Sequence, residues 1–128
     1  MGFIMKVNIE QNKRYYSSVQ SLPCDCNYCK NYYLQIKTTY PNVCSYLESM
    51  GIDVLRPLEL SSLEVNENNI LEYCVCQYVV FGSYEENFHH KIGDVEFCIG
   101  TSYPNTGVNK EHFVLDFYTI FLPMKLPL

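Results

Sequence analysis

The stretch ILEYCVCQYVVF, residues 70–81, carries apolar side chains on both faces of an extended chain. The even positions run from Ile70 to Val80 and the odd positions from Leu71 to Phe81, and both sets are mostly apolar. A strand that is apolar on both faces is typical of a sheet covered on its two sides. We therefore predict a central strand here, with the other elements arranged around it.

Shorter segments that alternate between apolar and polar residues flank this strand. Polar connections separate them, and the two longest predict loops over 82–93 and 103–110. Because successive strands follow one another with hairpin-length connections, we expect an antiparallel sheet. The predicted strands besides 70–81 cover residues 3–9, 58–65, 95–99 and 112–122, with 58–65 at an edge.

The period of the apolar residues changes before the central strand. Between residues 25 and 40 they recur every three or four positions, which predicts a helix of about four turns with Asp25 as its N-cap. Pro41 suits the first turn of a second helix, and Gly51 suits its end. Residues 10–23 are polar and rich in turn-forming side chains, and we predict turns there.

This order of elements predicts an α+β fold. It consists of an N-terminal strand, a helical pair and an antiparallel β-sheet able to curl into a sandwich or partial barrel. The chain has 128 residues, and domains cluster at roughly 100–150 residues. We therefore expect a single domain over residues 1–128, without repeats or a linker.

The charge of the chain disfavours two classes of partner. Fourteen acidic residues oppose nine basic ones, giving a formal charge of −5. Nucleic acids and anionic membrane surfaces both require a concentrated positive field, and the basic residues are scattered. The sequence also has no secretion signal, and its seven cysteines are an odd number. We therefore expect no nucleic acid, no membrane and a reducing, cytoplasmic location.

Three cysteines stand close together at the start of the first predicted helix, in the pattern Cys24-x-Cys26-x-x-Cys29. A Cys-x-x-Cys turn lets two thiolates reach one tetrahedral zinc ion, and Cys24 adds a third ligand. The pattern thus predicts a metal site at these three residues, with zinc as the cofactor. A structural site takes four ligands, and the candidates for the fourth are Cys44, Cys74, Cys76, His89 and His90.

Two other interpretations of the cysteines remain open. A thiol at a helix N-terminus has a lowered pKa, so Cys26 is a candidate attacking thiol of an oxidoreductase, with Cys29 as the resolving thiol. Alternatively the cysteines are small buried side chains, since free cysteine is among the most buried residue types. Cys44 in the second helix and Cys98 in a strand fit this last interpretation.

Other ionisable residues give weaker signals. His89 and His90 lie with Glu85 and Glu86 in a predicted polar loop, which favours solvation over metal binding or catalysis. Asp94 and Glu96 fit the solvent face of an edge strand, and His112 a strand boundary. Asp116 lies in an apolar strand, and if buried it requires a partner. For that partner we expect an ion pair with Lys6, Lys30 or Arg56.

The segment Cys26-Asn-Tyr-Cys29-Lys-Asn-Tyr32 resembles a family of small uncharacterised proteins from Gram-positive bacteria. The resemblance implies one complete domain and no catalytic residues. Where that family has Trp after its final Leu-Pro, this chain has Met124. The resemblance continues through Gly51–Asp53, Arg56–Glu59, Leu115–Phe117 and Leu122–Pro123.

The sequence contains no signature of an enzyme: no phosphate-binding glycine loop, nucleophile elbow or His-Glu-x-x-His motif. It has twelve tyrosines and no tryptophan. Tyrosine is common at protein interfaces. The leading functional prediction is therefore a non-enzymatic protein that binds another protein. The alternatives are a zinc-binding domain built on Cys24, Cys26 and Cys29, and a thiol oxidoreductase.

Overall fold

The computed structural model describes residues 5–18 and 24–127. Phe3 and Ile4 of the predicted N-terminal strand, and the last part of the predicted turn region, lie outside the described residues. The helices of the described ranges are α1 (Ile9–Ser18), α2 (Asn27–Thr39) and α3 (Pro41–Ser49). The strands are β1 (Met5–Val7), β2 (Glu59–Ser62), β3 (Ile70–Val80), β4 (Gly82–Tyr84), β5 (His89–Ile92), β6 (Val95–Ile99), β7 (Phe113–Tyr118) and β8 (Ile120–Pro123).

Six strands form an antiparallel sheet in the order β2-β3-β7-β6-β5, and β8 pairs with the first half of β3. The remaining two, β1 and β4, form a small antiparallel ribbon. The main sheet is open and does not close into a barrel. Since β3 has β2 on one side and β7 and β8 on the other, the prediction of a central strand is confirmed. The α+β fold is confirmed as well.

The face of β3 that is buried in the core changes half-way along the strand. Leu71 and Tyr73 belong to the core in the first half, and Cys76 and the residues two and four beyond it in the second half. The segment that pairs with β3 also changes its buried face at this point, between Phe117 of β7 and Ile120 of β8. The strand predicted over 112–122 is therefore two strands with Thr119 between them.

The three helices contribute to a core that covers one face of the main sheet. Buried side chains of α1, α2 and α3 belong to the same cluster as those of β3, β7 and β8. The buried polar atoms inside it are paired: Tyr78 Oη donates to the carbonyl of Val54 and shares a second bond with Tyr32 Oη, both at 2.6 Å. Such internal bonds are required because an unpaired buried hydroxyl destabilises the fold.

Helix α1 contradicts the turns predicted over residues 10–23. Asn8 caps the start of this helix, because its Oδ1 accepts from Gln11 N at 3.0 Å, and its Nδ2 donates to Gln11 Oε1 at 3.2 Å. Only Asn12 and Tyr16 of this helix are buried. Its inward face therefore lacks the apolar stripe by which a helix is recognised.

The end of the chain is held against α2 by two buried amides. Asn31 Oδ1 accepts from Lys125 N at 2.9 Å, and Asn31 and Gln35 both donate to the carbonyl of Pro123. One turn further along, Tyr40 Oη accepts from Phe121 N and donates to the Phe121 carbonyl. The helix thus contacts β8 through hydrogen bonds as well as through the core.

Two further expectations about the loops are wrong in part. The loop predicted over 82–93 contains β4 and β5, which are strands of three and four residues. A tight turn at Gly93 and Asp94 joins β5 to β6, and Gly93 has a φ of +58°. Strand β6, which was expected to place Glu96 on an edge, lies between β5 and β7.

In the described ranges, no helix combines the length and apolar character needed to span a bilayer.

Candidate metal centre

The three cysteines of the predicted metal site come together at the start of α2. The Sγ atoms of Cys24, Cys26 and Cys29 all lie within 4.8 Å of one another. Cys24 and Cys26 are exposed, whereas Cys29 is buried on the inner side of the cluster. The cluster can therefore hold a metal ion at the surface of the protein.

The geometry of the helix start explains why these side chains converge. Cys26 has an extended backbone and is the N-cap of α2, and its Sγ accepts from Cys29 N at 3.4 Å. The N-cap predicted at Asp25 is thus one residue off. An N-cap side chain turns back toward the amide three residues on, which brings Cys26 to Cys29.

Three hydrogen bonds hold the backbone of this segment in place. Tyr33 Oη donates to the Cys24 carbonyl at 3.0 Å, and Tyr73 Oη donates to the Tyr28 carbonyl at 2.6 Å. Asn27 Nδ2 donates to the carbonyl of Pro127 at the end of the chain. Because these bonds connect the cysteine segment to the next turn of α2, to β3 and to Pro127 near the end of the chain, the segment is tied to the body of the fold.

The surroundings of Cys26 and Cys29 have opposite effects on their thiols. Partial burial opposes ionisation of Cys26, but bonds from the Cys29 and Tyr28 N–H groups and from the Cys24 and Cys29 thiols outweigh it and lower its pKa. Burial raises the pKa of Cys29, and its hydrogen bonds to the other two thiols raise it further. Cys26 is therefore the thiol of this pair that loses its proton more readily.

None of the five candidates for a fourth ligand joins the cluster within the described residues. Cys76 is fully buried in β3, and Cys44 Sγ contacts the Ile36 carbonyl at 3.6 Å. His89 lies beside Glu96, and the last two candidates lie in strands, Cys74 in β3 and His90 in β5. Within the described residues, the structure thus brings three of the predicted ligands together and none of the candidates for a fourth.

The histidines, which we considered as a pair, lie on opposite faces of β5. His89 Nε2 is 3.6 Å from Glu96 Oε1, whereas the His90 ring stacks on Tyr46 at a centroid distance of 4.7 Å. They lie in a strand, so the predicted polar loop is wrong at this point. Their side chains diverge as expected for neighbours in an extended segment.

Asp116 has a neutral partner where an ion pair was expected. Its Oδ1 accepts from Gln77 Nε2 at 3.0 Å across the β3–β7 pair. Burial raises the pKa of the Asp116 carboxyl, and the bond from Gln77 partly offsets the rise. The amide of Gln77 is held in turn by the Ser102 carbonyl. This pair stabilises the face of the sheet away from the helices.

The tyrosines on which the prediction of a protein partner rests lie mostly inside the fold. Four of the twelve are buried and two, Tyr84 and Tyr103, are exposed, while the others are half-buried. The buried ones use their hydroxyls for internal hydrogen bonds. Core packing thus explains much of the tyrosine content, and binding to another protein stays a prediction.

A scan against protein-family models found no match, and searches of curated proteins and of solved structures found none either. The family resemblance of the segment from Cys26 to Tyr32 therefore stays a prediction. The geometry of the three thiols and the groups around them carry the functional argument.

Proposed function

We propose that the protein binds one zinc ion through the thiolates of Cys24, Cys26 and Cys29. The observation that carries the proposal is the mutual separation of the three Sγ atoms, which is at most 4.8 Å. Zn–S bonds of about 2.3 Å in a tetrahedral site place two sulfurs about 3.8 Å apart. Small side-chain rotations are therefore enough to bring the thiols onto one ion.

The chemistry of the donor set also supports zinc. Thiolates favour soft and borderline ions such as Zn²⁺ and Cu(I) over Mg²⁺ or Ca²⁺, which prefer oxygen. The bond from Cys29 N to Cys26 Sγ stabilises a thiolate at the site. Hydrogen bonds to a metal ligand of this kind orient the ligand and tune its basicity.

The scaffold around the cluster is suited to holding the ligands in position. The carbonyls of Cys24 and Tyr28 accept hydrogen bonds from Tyr33 and Tyr73, so the backbone between the ligands is fixed. Tyr73 is fully buried in β3. A ligand set supported by packed residues loses less conformational freedom when the ion binds.

Metal content and thiol reactivity of the same sample test the proposal. Protein purified without chelator should hold about one zinc ion per chain. A chelator should remove the ion, and the thiols of the cluster should become reactive at the same time. We expect Cys24→Ser, Cys26→Ser and Cys29→Ser each to weaken zinc binding by roughly 100-fold or more. Cys98→Ser is the matched control, because Cys98 is half-buried in β6 and outside the cluster. Binding that survives all three cluster substitutions would overturn the proposal.

The pair Cys26 and Cys29 favours a second candidate function, thiol–disulfide exchange. Cys26 is exposed at the helix N-cap, and Cys29 is buried behind it within reach of its Sγ. The Cys26 thiolate would attack one sulfur of a substrate disulfide, forming a mixed disulfide and releasing the other sulfur as a thiolate. Cys29, after giving its proton to solvent, would attack Cys26 Sγ and release the second substrate thiol. The protein loses two electrons, and the substrate disulfide gains them.

A trapping experiment tests this second candidate. Cys24 Sγ also lies within 4.8 Å of Cys26 Sγ, so both neighbouring thiols are replaced. Metal-free protein carrying Cys24→Ser and Cys29→Ser, treated with glutathione disulfide, should accumulate a mixed disulfide at Cys26, seen by peptide mass spectrometry. In the same treatment Cys26→Ser should yield much less adduct. Equal labelling of Cys26 and the half-buried Cys98 would contradict the exchange function, because it would show no selective attacking thiol.

A further inference from the structure

Resting on the proposed zinc site, we infer that its fourth coordination position takes a thiolate from a second molecule. The ligand class of the site is therefore an external thiol, held on the zinc as its thiolate. Two sources share this chemistry: a small thiol and an accessible cysteine of another protein.

The first step is that the described residues offer no fourth side-chain ligand within the reach of the three thiols. Among the described residues, no further cysteine, histidine or carboxylate joins the three thiols within the same reach. Residues 1–4, 19–23 and 128 contain no cysteine, histidine, aspartate or glutamate in their sequence. Zinc completes a tetrahedral shell, so a three-ligand site with an open position takes an outside ligand or water.

The second step is that the open position faces outward. Cys24 and Cys26 are exposed, and Cys29 beneath them is 8% exposed. An ion bound by all three thiols therefore has the protein on the side of Cys29 and solvent on the other side. A ligand can approach without displacing a packed helix or strand of the described residues, since α2 and its contact with β3 lie beneath the cluster.

The third step concerns which outside ligand the ion prefers. Three thiolates give the zinc complex a negative charge and much electron density, so the ion is a poor activator of water. Zinc sites that ionise water efficiently have neutral imidazoles as ligands. Thiolate is a softer donor than water or carboxylate and suits an ion already held by sulfur. Coordination also deprotonates a thiol, so the bound ligand is a thiolate near neutral pH.

The fourth step is that the protein can accept the added negative charge. The cluster lies at the N-terminus of α2, which has 13 residues and whose first amides point toward it. The positive end of a helix stabilises negative charge. The exposed Lys30 on the first turn of the same helix adds a positive charge that offsets the negative charge of the exposed Asp25 between Cys24 and Cys26. A complex with four thiolates is therefore tolerated at this position.

Cobalt in place of zinc makes the fourth ligand visible by absorption spectroscopy. We expect the wild-type chain to bind Co²⁺ with sulfur-to-cobalt charge-transfer bands. Glutathione should raise their intensity by about one third, in proportion to a fourth thiolate. Imidazole and acetate at the same concentration should leave that intensity unchanged. The second thiol probe is a protein of known structure with a single accessible cysteine. Whichever of glutathione and this protein binds more tightly to the cobalt form identifies the source of the thiol.

The outcomes separate the inference from the proposed function. Cobalt that binds but gains no sulfur band from either thiol overturns the inference and leaves the metal site standing. Removal of the cobalt by glutathione, or a four-sulfur spectrum from dimers of the chain alone, overturns the inference too. Failure to bind cobalt or zinc at all overturns the proposed function itself.

Asp25 supplies the internal control, because it is the carboxylate nearest in sequence to all three cysteines. If the open position takes an external thiol, Asp25→Asn should show the same response to glutathione as the wild type. If instead the Asp25 carboxylate rotates onto the ion, Asp25→Asn alters the spectrum before any thiol is added, and the inference fails. Cys98→Ser should match the wild type in both measurements.

Discussion

Cys26 and Cys76 are the same type of residue in opposite surroundings. Cys26 is exposed at the start of α2, where N–H groups point toward its sulfur. Cys76 is fully buried in the middle of β3, beneath the helices. Burial raises the pKa of Cys76, whereas the hydrogen bonds at the helix start lower that of Cys26. The number of cysteines in a chain thus says little about thiol chemistry, which the position of each cysteine in the fold decides.

The largest effect expected from this comparison is on the rate of alkylation. Iodoacetamide should label Cys26 in native metal-free protein at least roughly a thousandfold faster than Cys76, because a core residue reacts only when the domain opens. Peptide mass spectrometry at a series of times measures both rates in one sample. Labelling of both cysteines at similar rates in native buffer would contradict the prediction. As a control, the two rates should become similar when the protein is unfolded in denaturant.

Zinc should sharpen the comparison by stabilising the fold at the exposed cluster alone. Free zinc at a hundredfold excess over its dissociation constant should raise the free energy of unfolding by about 2.7 kcal/mol. A chelator should reverse the gain. Urea unfolding followed by circular dichroism measures it. Cys98→Ser should keep the increment and Cys26→Ser should lose it, and an equal increment in both variants would place the metal elsewhere.

Substitution of Tyr78 should destabilise the buried core, to which Cys76 belongs, without affecting the exposed cluster. Tyr78→Phe removes the hydroxyl that donates to the Val54 carbonyl and bonds Tyr32 Oη, leaving two buried polar groups without that partner. We expect a loss of about 1–3 kcal/mol in the free energy of unfolding. Urea denaturation measures the loss, and zinc affinity should stay unchanged. The exposed Tyr84 gives the control, since Tyr84→Phe should change stability by less than about 0.5 kcal/mol.

Asp116 is partly buried, between the extremes of Cys26 and Cys76, and its substitution should have the smallest effect on stability. Burial raises the pKa of its carboxyl, so protonation favours the folded state at low pH, and this stabilisation is lost as the pH rises through the folded pKa. Asp116→Asn keeps an acceptor for Gln77 without the charge. It should raise stability at pH 7 by less than about 1 kcal/mol after solvent screening. The gain should vanish below about pH 4. A gain that persists at low pH would contradict a charge effect.

The central strand and the helix after Asp25 could be predicted because each has a strong apolar period. Residues 70–81 are apolar on both faces, and only the interior of a sheet satisfies that pattern. Pro41 likewise predicts the start of α3 correctly. These local signals agree with the tertiary structure, so the α+β order of the fold follows from them.

Helix α1 and the β5–β6 hairpin were missed for different physical reasons. The inward face of α1 is made by Asn12 and Tyr16, and the buried amide of Asn12 bonds the Met50 carbonyl and the Phe81 N–H, contacts that no local pattern predicts. The available signal was Asn8, a preferred N-cap residue, with Gln11 three positions after it. In the hairpin, Gly93-Asp94 was a turn signal of the kind that joins two short strands.

The candidate site shows the same limit of sequence. Spacing alone brought Cys24, Cys26 and Cys29 into one hypothesis, since residues so close in sequence at a helix start are also close in space. The search for a fourth ligand failed because His89, Cys74 and the other candidates are distant in sequence, and their place depends on strand order. The neutral partner of Asp116 was missed for the same reason.

The hydroxyl of Tyr40 has a consequence for how the folded chain behaves at high concentration. It occupies both the N–H and the carbonyl of Phe121 on the side of β8 away from β3. A strand with free donors and acceptors there would offer a template to any extended peptide, and Phe121 itself is 50% exposed. The Tyr40 hydroxyl thereby covers the free edge of β8 at Phe121, where unpaired backbone groups would favour pairing with another chain; many sheets protect such edges with a proline, a bulge or a lysine.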